Sequence, residues 1–393
     1  THPQLLSLFP GTSLYDKTGC PPTFHYPLAK LFWIKTKRAE LFKQTRLFLS
    51  SKDYLLRRLA GINVSDIAVS STNQYMNIFH LDWDKDILST VGIARDTLLP
   101  PASPETVITD NLDSIRKQLK LPSLTGIALG TYDGGAVGIG LGGIEEGTAV
   151  MNFGTTAMLR RVSDNPAVST GGSMSIQSSF LADGKWIPGG AINNAGAVLR
   201  WLRDNVFHDS YELLTSEAKS AGNSSGLLFL PYLSGERSVE IGGDSSGSYY
   251  GLRTHHTRAH MIRAAFEGVA FSLARVKNSL AKGGYNPKVI RVGSGGSQSP
   301  VWMQIVASVL NTPLQTTHAV EPGLLGSAML GFVALGHYKD LTTASLNMVR
   351  PDRVYTPDPS DVTAYAAQIQ KFNRLTELLH EMEAEFQNQA AIS

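Results

Sequence analysis

Val289-Ile290-Arg291-Val292-Gly293-Ser294-Gly295-Gly296-Ser297-Gln298-Ser299 reads as a short apolar strand, Val289 to Val292, that runs into a glycine-rich turn. Pro300 to Leu310 follows as an apolar helix, so the segment is one strand–turn–helix step of an α/β domain. Downstream, a strand at Leu314 to Thr317 and a helix at Gly323 to Leu335 continue the alternation, and an acidic amphipathic helix is expected over about Asp361 to Asn388. Upstream, Met261, Ala265, Phe266, Val269, Ala270, Leu273, Val276 and Leu280 form one stripe of a long helix, about Thr257 to Lys282, closed by Gly283-Gly284. Before it come a strand over Gly226 to Leu230 and a helix over about Ala195 to Phe207. Earlier still, Thr148–Phe153, Met158–Val162, Ser175–Leu181 and Lys185–Ile187 read as short strands joined by polar turns such as Asp183-Gly184. Hairpins followed by alternating helix and strand make an α/β domain from about residue 144.

The front of the chain has another character. Leu28, Leu31, Phe32, Ile34, Leu41, Phe42, Leu47 and Phe48 recur at helical spacing, and the pattern runs on to Leu59 and stops at Gly61. Pro100, Pro101 and Pro104 mark a loop. Leu124 to Leu129 is an apolar run that ends in Gly130-Thr131-Tyr132-Asp133-Gly134-Gly135, and Ala136 to Leu141 continues as a helix whose glycines permit close packing on a neighbour. A chain of 393 residues exceeds one ordinary core, so two domains are expected, 1–143 and 144–393, the first short of strands.

Composition excludes several classes of function. A formal net charge of +2 gives no reason to expect a nucleic-acid or membrane partner. The single cysteine, Cys20, precludes an intrachain disulfide and reads as a packing residue, and there is no cysteine–histidine set at zinc spacing. Without a long apolar run or a signal pattern, the chain reads as a protein of the cytoplasm.

Three glycine-rich turns carry the chemistry. Asn152-Phe153-Gly154-Thr155-Thr156-Ala157 presents amides and hydroxyls on one side, suited to phosphate, although an ordinary polar hairpin has the same composition. The Gly293–Ser299 turn lets a nucleotide approach the backbone ahead of a helix N-terminus. Its Gly-x-Gly-Gly spacing departs from the dinucleotide-binding fingerprint, which weakens a dehydrogenase reading. Asp133 is either a helix N-cap or a carboxylate at a cleft, where a kinase acting on an alcohol needs one to accept the hydroxyl proton. No Gly-x-x-x-x-Gly-Lys-Ser/Thr loop exists, so ATP would not be held by a P-loop. His255, His256 and His260 open a helix and read as a solvated face.

Together these turns resemble the FGGY family of carbohydrate kinases, of the actin-like superfamily. Gly247-Ser248-Tyr249-Tyr250-Gly251-Leu252, followed after seven residues by His260 to Glu267, fits the family's C-terminal signature. Tyr26 to Ile34 nearly fits its N-terminal one, His25 and Lys37 departing from the usual residues at the ends. Leu230-Pro231-Tyr232-Leu233-Ser234-Gly235-Glu236-Arg237 is similar to another family segment, and Gly326-Ser327-Ala328 sits where a helix normally closes the nucleotide site. The resemblance implies an α/β, actin-like (ribonuclease H-like) two-domain kinase using ATP and Mg²⁺. By it Asp133 is the general base and contacts the sugar, His25 lies near the sugar, and Gly154, Thr155, Gly196, Arg200, Gly295 and Ser299 contact ATP. It carries over no metal-ligating residue, and a surface-loop role for His25 fits equally.

Thr18-Gly19-Cys20-Pro21 and Pro188 to Gly196, leading into Trp201-Leu202-Arg203-Asp204, are most similar to gluconate kinases, so gluconate is the expected substrate. Xylulose, another pentulose and glycerol are the alternatives, and a homodimer is an admissible assembly. The family's Asp-x-Gly-Thr/Ser hairpin, which supplies the first phosphate loop, has no counterpart here. The first domain is therefore expected to be truncated at its N-terminus, which also leaves open a non-catalytic nucleotide-binding relative.

Overall fold

In the computed structural model, which describes residues 2–145, 147–169, 174–236, 238, 241 and 245–390, the hairpin around Gly154 supplies two adjacent strands of a six-stranded sheet. Its strands are β1 (Thr148–Phe153), β2 (Ala157–Arg161), β3 (Gly189–Ile192), β4 (Val289–Gly293), β5 (Leu314–Thr317) and β6 (Pro351–Tyr355), in the order β3-β2-β1-β4-β5-β6. β1, β4 and β5 run parallel, whereas β2, β3 and β6 are antiparallel to their neighbours. Parallel pairing needs long crossovers, and helices supply them between β1 and β4 and between β4 and β5. Five of the six β1 residues are buried, the pattern of a strand covered on both faces.

The helix over the sheet is Arg258–Lys282, buried almost continuously from Ile262 to Ala274. It packs beside the Pro300–Leu310 helix through Trp302, whose ring stacks on Phe266 at 4.6 Å and meets Phe153 edge-on at 4.7 Å. Its indole N–H donates to the Phe266 carbonyl at 3.1 Å, satisfying the polar atom of a side chain that is 1% exposed. On the same long helix the Arg263 guanidinium donates to Glu267 Oε1 at 2.7 Å and to Tyr365 Oη at 2.8 Å, tying it to the C-terminal helix Pro359–Ala390. Arg263 and Glu267 of the His260–Glu267 stretch thus act as a buried clamp. His260 serves structure too: with Thr257 it forms the capping box that starts the helix.

The chain forms two compact units. The first comprises Thr1–Glu146, Val162–Pro188 and Glu321–Val349, and the second Gly147–Arg161, Gly189–Val320 and Arg350–Ser393. All six strands of the sheet fall in the second. The first is built of short helices and strand pairs of two or three residues around clusters that include one with Leu28, Leu31, Trp83, Ile87 and Leu88, one with Ile62, Leu112, Ile115 and Leu129, and one with Ala68, Ile78, Phe180 and Trp186. Its Asp133–Gly140 helix lies backbone to backbone against Pro322–Ala334. A Cβ at Gly140 would stand 1.7 Å from the Pro322 carbonyl oxygen, and one at Gly326 would stand 1.9 Å from that of Ala136, so only glycine allows the approach.

Departures from the sequence expectations have local causes. The helical pattern of 27–60 breaks into Pro27–Lys37, Ala39–Gln44 and Ser51–Ala60, the last restarted by a reciprocal Ser50–Asp53 capping box. The strand expected over Ser175–Leu181 shrinks to Phe180–Ala182 because the Ser178 N–H is taken by the Gly19 carbonyl. Asp183 and Gly184 adopt φ of +52° and +68°, the left-handed pair that a two-residue hairpin requires. Leu202–Phe207, expected as plain α-helix, winds as a π-helix after Gly196–Trp201. Arg237 lies outside the described residues. Cys20 is fully buried, which pushes its thiol up to about 12 and keeps it protonated and inert at neutral pH.

Candidate nucleotide site and the Asp133 turn

The β1–β2 turn and the Gly196–Trp201 helix are locked together by main-chain bonds. Gly196 N–H donates to Gly154 O at 2.9 Å, and the Ala195 and Ala197 amides both donate to Thr155 O at 3.1 Å. Arg200, one turn into that helix, reaches back to donate to Thr155 Oγ1 at 3.2 Å. The exposed guanidinium is thereby held over the hairpin turn with most of its donors left for another partner.

The facing wall is the turn after β4. Gly295–Gln298 forms a single 3₁₀ turn, and Ser299 caps the Pro300–Leu310 helix by accepting the Trp302 N–H. Ser294 enters this turn at φ +77° and ψ 179°, a conformation that side-chain-bearing residues rarely adopt, with its hydroxyl bonded to Asn152 Oδ1.

These walls enclose a cavity of about 640 Å³ lined by Gly154, Thr155, Gly196, Arg200, Gly295 and Ser299, with Trp302 also in its lining. Every residue assigned to ATP from sequence therefore lines a single cavity of the second unit. Tyr211, Glu212 and Thr215 line it as well, from a helix, Tyr211–Ser220, that the sequence reading did not include. Its signal was present: Ser210 is a favoured N-cap, and its hydroxyl accepts the Leu213 N–H at 3.2 Å. Tyr211 is held in place by the Arg203 guanidinium, 4.3 Å above its ring.

The cavity fits a nucleotide on three counts. Its volume lies in the ordinary range for small-molecule sites. Gly295 has open space where a Cβ would stand, so a ligand can approach its main chain. Arg200 brings a fixed positive charge to the hairpin turn. Metal ligation is not built in the same way. Among the described residues no group of three or more His, Cys, Asp or Glu side chains is placed to hold an ion.

Asp133 and His25 belong to the first unit. Asp133 is exposed and begins the Asp133–Gly140 helix as its first helical residue, with Tyr132 as the N-cap, and its Oδ1 accepts the Gly134 N–H at 2.6 Å. The strand before it is only Ile127–Ala128, and Gly130 turns the chain at φ +70°. His25 is exposed, its ring 4.1 Å from that of Phe24. The Glu236 segment plays a supporting part. Its carboxylate, 4% exposed, accepts the Asn193 N–H at 3.1 and 3.2 Å, bracing the stretch between β3 and Gly196.

Comparison with known proteins agrees with this architecture. The N-terminal domain of the FGGY family of carbohydrate kinases matches residues 4–140, and its C-terminal domain matches residues 149–335. The gluconokinase of Bacillus subtilis (strain 168) is 30% identical over 94% of this chain and 74% of its own length. A xylulose kinase of Staphylococcus epidermidis (strain ATCC 12228 / FDA PCI 1200) is 26% identical over 86% of the chain and 68% of its own. Among solved structures, a gluconate kinase and a ligand-bound xylulose kinase, both from Lactobacillus acidophilus, each superpose with a TM-score of 0.90 at 30% identity, covering 95% of this chain and 76% of theirs. The fold is accordingly the α/β, actin-like two-domain architecture of these enzymes, and the chain belongs to the FGGY family of carbohydrate kinases, which transfer phosphate to sugars.

Proposed function

We propose that the protein transfers the γ-phosphoryl group of ATP to a hydroxyl of gluconate, giving 6-phosphogluconate. The observation that carries the nucleotide half of this reading is the single cavity lined by Gly154, Thr155, Gly196, Arg200, Gly295 and Ser299. In it the β1–β2 turn supplies main-chain amides and the Thr155 hydroxyl to phosphate oxygens, and Arg200 offsets their charge. The Gly295–Ser299 turn, with Trp302 beneath, receives the nucleoside. Asp133 accepts the proton of the attacking sugar hydroxyl as the oxygen–phosphorus bond forms, and His25 contributes to the sugar side. Mg²⁺, chelated by the phosphates, would neutralise charge on the group being transferred. With ATP as donor and a lone buried thiol, we assign the reaction to the cytoplasm.

The preference for gluconate rests on the 30% identity with the Bacillus subtilis gluconokinase, against 26% for the Staphylococcus epidermidis xylulose kinase. Xylulose is the second reading, because the Lactobacillus acidophilus xylulose kinase superposes as well as the gluconate kinase does. A coupled ADP-release assay with gluconate, xylulose, ribulose and glycerol decides. Gluconate giving the highest kcat/KM supports the reading; a tenfold or greater preference for another sugar replaces it.

A further inference from the structure

Lys52, at the start of the Ser51–Ala60 helix, reaches across the first unit to the turn that carries Asp133. Its ammonium donates to Asp66 Oδ2 at 2.8 Å, to Gly130 O at 2.8 Å and to Thr131 O at 3.4 Å. An ammonium has three protons, so these acceptors use its whole donor capacity.

Neither end of this contact is free to drift. Asp66 is 1% exposed and also accepts the Ala68 and Val69 amides, at 2.8 and 3.2 Å, as cap of the Ile67–Ser70 helix. Burial pushes its carboxyl up, and the nearby Lys52 charge opposes that push. On the other side, the Leu129 and Gly130 amides donate to Thr106 O at 3.0 Å and Pro104 O at 2.8 Å. Beyond Gly130 that backbone pairing ends, and Lys52 takes over the next two carbonyls. Only Tyr132 then separates the fixed Thr131 carbonyl from Asp133. Two successive peptide planes are thus oriented by one ammonium, and their orientation sets the direction in which the next side chains leave the chain.

We propose that Lys52 is a positioning residue for phosphoryl transfer, holding the Gly130 and Thr131 carbonyls against buried Asp66 so that Asp133 presents its carboxylate in one direction. The inference rests on Asp133 being the base. The rival is that Lys52 only stabilises the first unit, by neutralising Asp66.

A double-mutant cycle separates the two, with kcat, KM for ATP and thermal unfolding measured on the full chain and on Lys52→Met, Asp133→Asn and the double variant. Lys52→Met is expected to lower kcat by about 10- to 10²-fold with KM for ATP within about twofold. In the Asp133→Asn background the same change is expected to alter the residual kcat by less than about twofold, because the group it aims is gone. Equal fold losses in both backgrounds, or an unchanged kcat in Lys52→Met, overturn the proposal. If Lys52→Met does not fold, Lys52→Gln, which keeps an amide donor, is read by the same two criteria. Failure of both to fold overturns it too, since Lys52 would then be holding the unit rather than the turn. The base assignment fails separately: native turnover in Asp133→Asn removes Asp133 whatever Lys52 does, and the proposal falls with it.

Discussion

Gly196 donates its N–H to the Gly154 carbonyl at 2.9 Å, and a Cβ on Gly196 would stand 2.7 Å from that same oxygen. The bond that joins the helix to the hairpin turn is therefore available only to glycine, because the other atoms near the added carbon are Gly154 C at 3.3 Å and Thr155 N at 3.6 Å, all backbone. Gly196→Ala must push the Gly196–Trp201 helix away from the β1–β2 turn and so distort that wall of the cavity. We expect it to weaken ATP binding by about tenfold or more while costing about 1–3 kcal/mol of stability, the usual range for overpacking. Calorimetric titration with ATP checks this; native affinity would mean the junction does not shape the nucleotide site.

Arg200 is exposed and its guanidinium bonds Thr155 Oγ1 at 3.2 Å, a surface contact on which little of the fold depends. A charge-assisted bond to phosphate contributes about 1.5–3 kcal/mol. Arg200→Ala should accordingly raise KM for ATP by about 10- to 10²-fold and leave KM for the sugar within about twofold. Steady-state kinetics varying each substrate separates the two effects.

Ser294 carries backbone strain that glycine would relieve, together with a hydroxyl bond to Asn152 that either glycine or alanine would lose. Comparing Ser294→Gly with Ser294→Ala cancels the lost bond and leaves the strain. The glycine variant should be the more stable by about 1 kcal/mol or more, in line with the cost of sparsely populated conformations. Urea denaturation monitored by tryptophan fluorescence measures the difference.

The Arg263–Glu267 pair, with Arg263 7% and Glu267 1% exposed, makes a different kind of demand. Removing one partner leaves a buried charge uncompensated, which costs about 3–5 kcal/mol. Glu267→Ala should therefore lower the urea midpoint substantially while leaving kcat of the folded fraction near native at a permissive temperature. A loss of kcat without a loss of stability would move this pair from scaffold to site.

Much of the fold is legible in the sequence because its decisive elements are local. Pro300–Leu310 and Leu314–Thr317 have the bounds that periodicity and turn residues give them, and β1 does as well. The residues proposed to hold the nucleotide share one cavity for a similar reason: glycines and hydroxyls cluster in the turns that close onto it. What escaped depends on distant partners. The role of Glu267 requires Tyr365, 98 positions away, to bond it, and nothing around Glu267 announces that. Tyr211 and Glu212 line the cavity because of where their helix docks, which its own amphipathic pattern does not encode. The strain at Ser294 is likewise invisible, since the composition of the turn suits it to glycine while the residue in place is serine.

The reading depends most heavily on the Asp133 carboxylate taking the proton of the sugar hydroxyl. Steady-state turnover of Asp133→Asn at saturating ATP and gluconate tests that step directly, since the amide keeps the shape of the side chain and loses its basicity. The account requires kcat to fall by at least about 10²-fold while KM for ATP stays within about twofold. A variant that turns over at the native rate would contradict it.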